Sequence, residues 1–167
     1  KWVGQCRECG AWGTVDQAGE ASGGPRAAAT PPRRPALPIG EVDGERASSR
    51  STGVGELDRV LGGGIVPGAV ILLAGEPGVG KSTLLLDVAA KAARTAAAGG
   101  RGPVLYVTGE ESAAQVRGRA ERIGALEPNL LIADETELGG VLGHVEASRP
   151  SLLIVDSVQT ISSAQVE

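Results

Sequence analysis

Gly75-Glu76-Pro77-Gly78-Val79-Gly80-Lys81-Ser82 follows the apolar run Val70-Ile71-Leu72-Leu73-Ala74 and leads directly into Thr83-Leu84-Leu85-Leu86-Asp87-Val88-Ala89-Ala90. The octet satisfies G-x-x-x-x-G-K-[ST], and a strand before it with a helix start after it is the setting in which that pattern holds a polyphosphate. Glycines let successive backbone N–H groups turn inward, and the head of the following helix adds the positive end of its dipole. The cradle therefore comprises Gly75, Glu76, Pro77, Gly78, Val79, Gly80, Lys81, Ser82 and Thr83, with Lys81 reaching the β- and γ-phosphates and Ser82 a ligand of Mg²⁺. An ordinary glycine-rich turn is the alternative, and the flanking strand and helix argue against it.

Working outward, short apolar runs alternate with helical segments from Ser51 onward, the pattern of βαβ units and a mostly parallel sheet flanked by helices. Strands are predicted at Val70–Ala74, Val104–Thr108, Leu130–Ala133 and Leu152–Asp156, each apolar enough for burial on both faces. Helices are predicted over Lys81–Ala98, Ser112–Ile123 and Leu138–Ala147, the first closed by Gly99-Gly100 and the last by Pro150. A short amphipathic helix and a glycine turn fit the stretch from Ser51 to Gly68. Upstream, residues 1–15 form a Cys- and Trp-bearing unit, residues 16–38 read as an Ala/Gly/Pro/Ser/Arg linker, and an α/β core is expected over 39–167.

The bulk numbers agree with one α/β body plus a small appendage. The chain has 167 residues, 41% of them apolar, with two Trp, one Tyr and no Phe or Met, so the core must be aliphatic and no aromatic platform for stacking bases is visible. A net charge of −4 gives no global pull toward nucleic acid, and any DNA contact must be local. Neither a signal peptide nor an apolar run long enough for a membrane span is evident, which points to a cytoplasmic protein with thiols in place of a disulfide. Without an initial Met, and with no element beyond Ser157–Glu167 to cap the last strand, the chain reads as a segment that starts within a longer protein and stops inside the domain.

Other chemistry-bearing residues fall where an open parallel sheet places ligands, at the carboxyl ends of strands. Leu152-Leu153-Ile154-Val155-Asp156 is an apolar strand ending in a carboxylate, the Walker B arrangement, so Asp156 is a candidate for the Mg²⁺ shell that Ser82 enters. An Asp that only opens a turn is its plainer reading. Tyr106-Val107-Thr108-Gly109-Glu110-Glu111-Ser112 ends the preceding strand in two carboxylates. Glu110 is the candidate base that orients and deprotonates water, while Glu111 and Ser112 equally suit the cap of the next helix. Cys6 and Cys9 form a C-x-x-C knuckle of the kind that offers two thiolates to Zn²⁺, and one pair cannot close a tetrahedral site. His144 reads as a solvated helix residue. Arg117, Arg119 and Arg122, with Arg26, Arg33, Arg34 and Arg46, read as a solvated helix face and a soluble linker, with a phosphate-binding surface as the alternative.

Ser51-Thr52-Gly53, Leu57-Asp58 and Leu61-Gly62-Gly63-Gly64-Ile65, placed before the Gly75–Ser82 loop, resemble the RecA-like ATPases of the P-loop superfamily. Tyr106–Ser112, Gln115-Val116, Arg119-Ala120, Arg122 and Val155–Thr160, together with the cysteine unit, narrow the resemblance to bacterial RadA (Sms), a family of DNA recombination and repair ATPases. The resemblance implies ATP hydrolysis to ADP with Mg²⁺, a hexameric ring, loading on single-stranded or branched DNA, branch migration by a helicase-type motor, and cooperation with the RecA strand-exchange protein. It also implies a structural Zn²⁺ at Cys6, Cys9 and an upstream C-x-x-C. That pair, the family's Lys-Asn-Arg-Phe-Gly motif and its Lon-protease-like domain are missing from the chain, so slow or no turnover is expected of it in isolation. Two other readings are a nucleotide-gated oligomerising module and a regulator resembling the circadian KaiC ATPases. The cysteine knuckle and Val155–Thr160 argue against the latter.

Overall fold

Short apolar runs bury themselves by pairing edge to edge and covering both sheet faces with helices. In a computed structural model, which describes residues 36–41 and 48–163, the runs at 104, 130 and 152 do this. The elements are α1 (Gly55–Val60), α2 (Lys81–Ala98), β1 (Val104–Thr108), α3 (Ala113–Arg122), β2 (Leu130–Asp134), α4 (Leu138–Ser148) and β3 (Leu152–Asp156). The strands form a three-stranded sheet in the order β2-β1-β3, and β1 is parallel to both neighbours. Register puts Thr108 opposite Asp134 on one side and Asp156 on the other, so three strand ends finish level at one edge. The chain divides into two units, Lys1–Val42 and Asp43–Glu167. Of the first unit only residues 36–41 are described, with a 3-10 turn at Ile39–Glu41.

Two aliphatic layers hold the second unit together. On one sheet face Leu86, Ala89, Ala90 and Ala93 of α2 and Val116 and Ala120 of α3 pack on Val104, Tyr106 and Ile154. On the other, Val141 of α4 packs with Leu105, Val107 and Ala133. Alanines along α2 let that helix lie close to the sheet, and each larger aliphatic side chain so buried is worth about 1.5–3 kcal/mol. The helix ends follow from sequence. Ser112 and Gln115 form a reciprocal capping box at the head of α3, worth about 1 kcal/mol. Arg149, with φ of 45°, ends α4 just before Pro150, which cannot continue a helix.

Two expectations need correction. Val70–Ala74 is not a strand: it joins no ladder among the described residues, with Val70 99% and Leu72 78% exposed. A strand exists only through a hydrogen-bonding neighbour, and no described segment supplies one to this run. Burial on both faces holds for β1 alone. Edge strands keep one side open, and Leu131, Ile132 and Leu153 are each about 40% exposed.

Candidate nucleotide and metal site

The loop from Gly75 to Ser82 is a tight turn delivered straight into α2. Gly78 and Gly80 have φ of 80° and 92°, a left-handed conformation that side chains resist, and Gly80 is the N-cap of α2. No side chain among the described residues caps that helix, so its leading amides remain available to an anion. Lys81 folds back over the turn and donates from Nζ to the carbonyl oxygens of Gly75 at 2.9 Å and Glu76 at 2.7 Å. An ammonium held over a bend, beside uncapped helix amides, is a donor set suited to a polyphosphate.

The level sheet edge gathers the acidic candidates. Asp156 ends β3, is half-buried, and accepts a hydrogen bond at Oδ2 from the Tyr106 hydroxyl at 2.6 Å. Its peptide bond to Ser157 is cis, and its carbonyl accepts from Gly109 N–H at 3.1 Å. Ser157 Oγ donates to Glu110 Oε1 at 2.5 Å, which ties the two strand ends across the edge. Glu110 is exposed. Glu111 is engaged elsewhere: Arg119 reaches both of its carboxylate oxygens, with Nη2 2.6 Å from Oε2. Thr108 Oγ1 also donates to the Glu111 carbonyl at 2.7 Å. Of the two adjacent acids, Glu110 alone keeps an exposed carboxylate with no cation on it among the described residues.

Electrostatics separate these groups. Burial pushes the Tyr106 phenol far above its usual range, and the hydrogen bond and charge of Asp156 push it the same way, so it stays a neutral donor. Arg119 acts in the opposite direction on the phenol, so its guanidinium belongs to the same electrostatic neighbourhood.

Asp156 Oδ1 and Ser82 Oγ are hard oxygen donors without a hydrogen bond among the described residues. Each is an oxygen of the kind that suits Mg²⁺, which takes one or two protein oxygens and otherwise water and phosphate. No group of three or more His, Cys, Asp or Glu occurs among the described residues, as an all-protein metal cage would require. The two halves are separately formed, since no hydrogen bond or ion pair among the described residues joins the loop to Asp156 or Glu110. Helix α2 packs against both β1 and β3 and connects them through the core.

Several sequence expectations resolve here. Ser112 takes the capping role, whereas Glu111 pairs with Arg119. Arg119 departs from the expected solvated face: its side chain is 19% exposed because the pair with Glu111 holds it against the sheet edge. Arg117, Arg122 and His144 are exposed as expected. Cys6, Cys9, Arg26, Arg33, Arg34 and Arg46 lie outside the described residues. Sequence reasoning missed the Tyr106–Asp156 and Ser157–Glu110 contacts. One signal for the first was present, a lone tyrosine inside an otherwise aliphatic strand.

Comparison with known proteins agrees with the α/β fold. A family profile described as an AAA domain matches residues 47–167. Over 100% of its length the chain is 52% identical to a protein of Mycobacterium tuberculosis named DNA repair protein RadA, covering 35% of that relative. Proteins of the same name from Aquifex aeolicus and Bacillus subtilis are 43% and 37% identical, with 36% of each covered. The chain thus spans about a third of the length of these relatives. With its glycine loop, its lysine and its carboxylate-ended parallel strands, the chain belongs to the AAA-domain family, and its likeness to RadA proteins runs from end to end.

Proposed function

We propose that this chain is the nucleotide-binding core of a DNA-dependent ATPase that acts in recombinational DNA repair as a branch-migration helicase. The observation that carries the reading is the presence in one unit of both an uncapped, lysine-bearing glycine loop and a sheet edge holding Asp156 and Glu110. Lys81 exchanges its two loop carbonyls for the β- and γ-phosphates of ATP, and Ser82 and Asp156 supply oxygen to Mg²⁺ or its waters. Mg²⁺ held by these oxygens would neutralise charge building on the transferred phosphoryl group. Glu110 orients and deprotonates the attacking water.

The RadA name of the relatives supports a role in DNA repair. Single-stranded or branched DNA as the polymer bound and the RecA strand-exchange protein as a partner are part of the proposal. Assembly as a homo-hexamer and a zinc site at Cys6 and Cys9 belong to the same proposal. So does a cytoplasmic location. No helix among the described residues is long and apolar enough to cross a membrane. The test is ATP turnover by the full-length protein with and without single-stranded DNA. DNA should raise the wild-type rate, and Lys81→Ala should abolish it. Turnover unchanged in that variant would remove the enzyme reading.

A further inference from the structure

Tyr106 is the single tyrosine of the chain, and its side chain is fully buried. It sits mid-strand on β1, opposite Ile154, with its ring packed among Leu86, Val116 and Ala120. From there the phenol reaches along the sheet to Asp156, two residues further down β3, and donates to Oδ2 at 2.6 Å. A free carboxylate at a strand end rotates about its last bond, and either oxygen can turn to a ligand. A donor anchored in a packed core removes that freedom and leaves Oδ1 as the open oxygen. Outer-shell donors of this kind govern how well a carboxylate serves a metal.

We propose that Tyr106 is a positioning residue for the Mg²⁺-holding carboxylate: its hydroxyl locks Asp156 by Oδ2 and presents Oδ1 to the cation or its water. The inference rests on the reading of Asp156 as a metal-holding group. Burial alone explains why the hydroxyl needs some acceptor. It does not explain why the acceptor is the one carboxylate at the end of β3. The pair of Arg119 with both oxygens of Glu111 keeps that neighbouring acid occupied, so Asp156 is left as the acceptor for the phenol.

The test uses Tyr106→Phe, Asp156→Asn and the double variant in the full-length protein, with ADP affinity measured by calorimetry across a Mg²⁺ titration and in metal-free buffer. Tyr106→Phe keeps the ring, and unchanged metal-free ADP affinity reports that the glycine loop is intact. The expected result is a rise of about tenfold in the Mg²⁺ concentration that half-saturates the metal-dependent gain. The same substitution in the Asp156→Asn background should add nothing further. If Asp156→Asn shifts the Mg²⁺ midpoint and Tyr106→Phe does not, the positioning role is overturned while the metal reading stands. If Asp156→Asn shifts nothing, both fall. Equal shifts from Tyr106→Phe in both backgrounds would mean that the phenol acts by another route, and would likewise overturn the inference. Should Tyr106→Phe not fold, Mn²⁺ binding to wild type and Asp156→Asn in the presence of ADP, with the carboxylate–metal geometry read by pulsed electron–nuclear resonance, decides the question. A single fixed carboxylate geometry, direct or through a bound water, that Asp156→Asn removes supports the lock, and a distribution over both oxygens, or no carboxylate near the metal, refutes it.

Discussion

Gly109→Ala is a one-carbon change at the point where β1 meets the turn after β3. A Cβ built on Gly109 would lie 2.9 Å from Thr160 Cβ and closer still to Thr160 Oγ1. Carbon atoms in contact sit about 3.5–4.0 Å apart, so relieving the Cβ contact alone requires Thr160 to retreat by roughly 0.6–1.1 Å, and its closer Oγ1 demands at least as much. That residue is not free to do so, because its Oγ1 donates to the Ser157 carbonyl at 2.8 Å and its N–H donates to the same oxygen at 3.2 Å. Any retreat therefore drags the turn that carries Ser157, whose hydroxyl grips Glu110. Overpacking of this kind costs about 1–3 kcal/mol. At roughly 4 °C per kcal/mol, the melting temperature should fall by about 4–12 °C. The assay is thermal unfolding followed by circular dichroism, with Gly118→Ala as a control of opposite sign. There the nearest atom to a new Cβ is Arg122 Nη1 at 3.9 Å, and replacing a mid-helix glycine should stabilise by about 0.5–1 kcal/mol. Thr160→Gly should restore part of the loss when combined with Gly109→Ala, as expected for residues in direct contact. A Gly109→Ala protein that melts at or above wild type would refute the close packing on which the link between the two strand ends depends.

Lys81→Ala should weaken MgADP binding by about 2–3 kcal/mol, roughly 30- to 150-fold, through loss of charge-assisted phosphate contacts. Because its present bonds are to exposed loop carbonyls, thermal stability should move by less than about 1 kcal/mol. Calorimetry and a melt on the same sample check both. Glu110→Gln should lower ATP turnover by at least about 100-fold in the full-length protein with little change in melting, consistent with a general-base role. Glu111→Gln should do the reverse, costing about 1 kcal/mol of stability by breaking its ion pair with Arg119, with turnover largely kept. Asp58 is held below its ordinary value of 3.8, first by the Ser51 hydroxyl and then by the Thr52 amide. A depressed folded value means that its contribution is complete above 3.8 and disappears as acid titrates the folded carboxylate below it. Acid unfolding should therefore be shallower in Asp58→Asn than in wild type below that pH.

Helices are the most legible part of the fold. Lys81–Ala98 follows directly from a glycine before it, two after it and an alanine-rich face between. In the candidate site, the glycine turn before Lys81 and the strand ends at Asp156 and Thr108 are readable for the same reason, since few local conformations other than a tight turn and a strand end call for those residue types in that order. Val70–Ala74 misleads because strand character is a property of pairs, and an apolar run carries no record of its neighbour. Arg119 misleads because helical spacing tells which residues share a face, not whether an acid from the preceding turn comes to meet that face. Hydroxyl contacts such as Ser157 with Glu110 join residues from different strands, and no local pattern encodes them.

The placement of Tyr106 has an optical consequence. Both indole rings of the chain belong to Trp2 and Trp12, and the only phenol belongs to the sheet. Light absorbed by indole alone therefore reports on the cysteine-bearing segment, whereas tyrosine emission originates at the carboxylate edge of the core. With both tryptophans replaced by phenylalanine, the chain becomes a single-emitter protein whose glow reads the grip on Asp156 directly, with no dye attached.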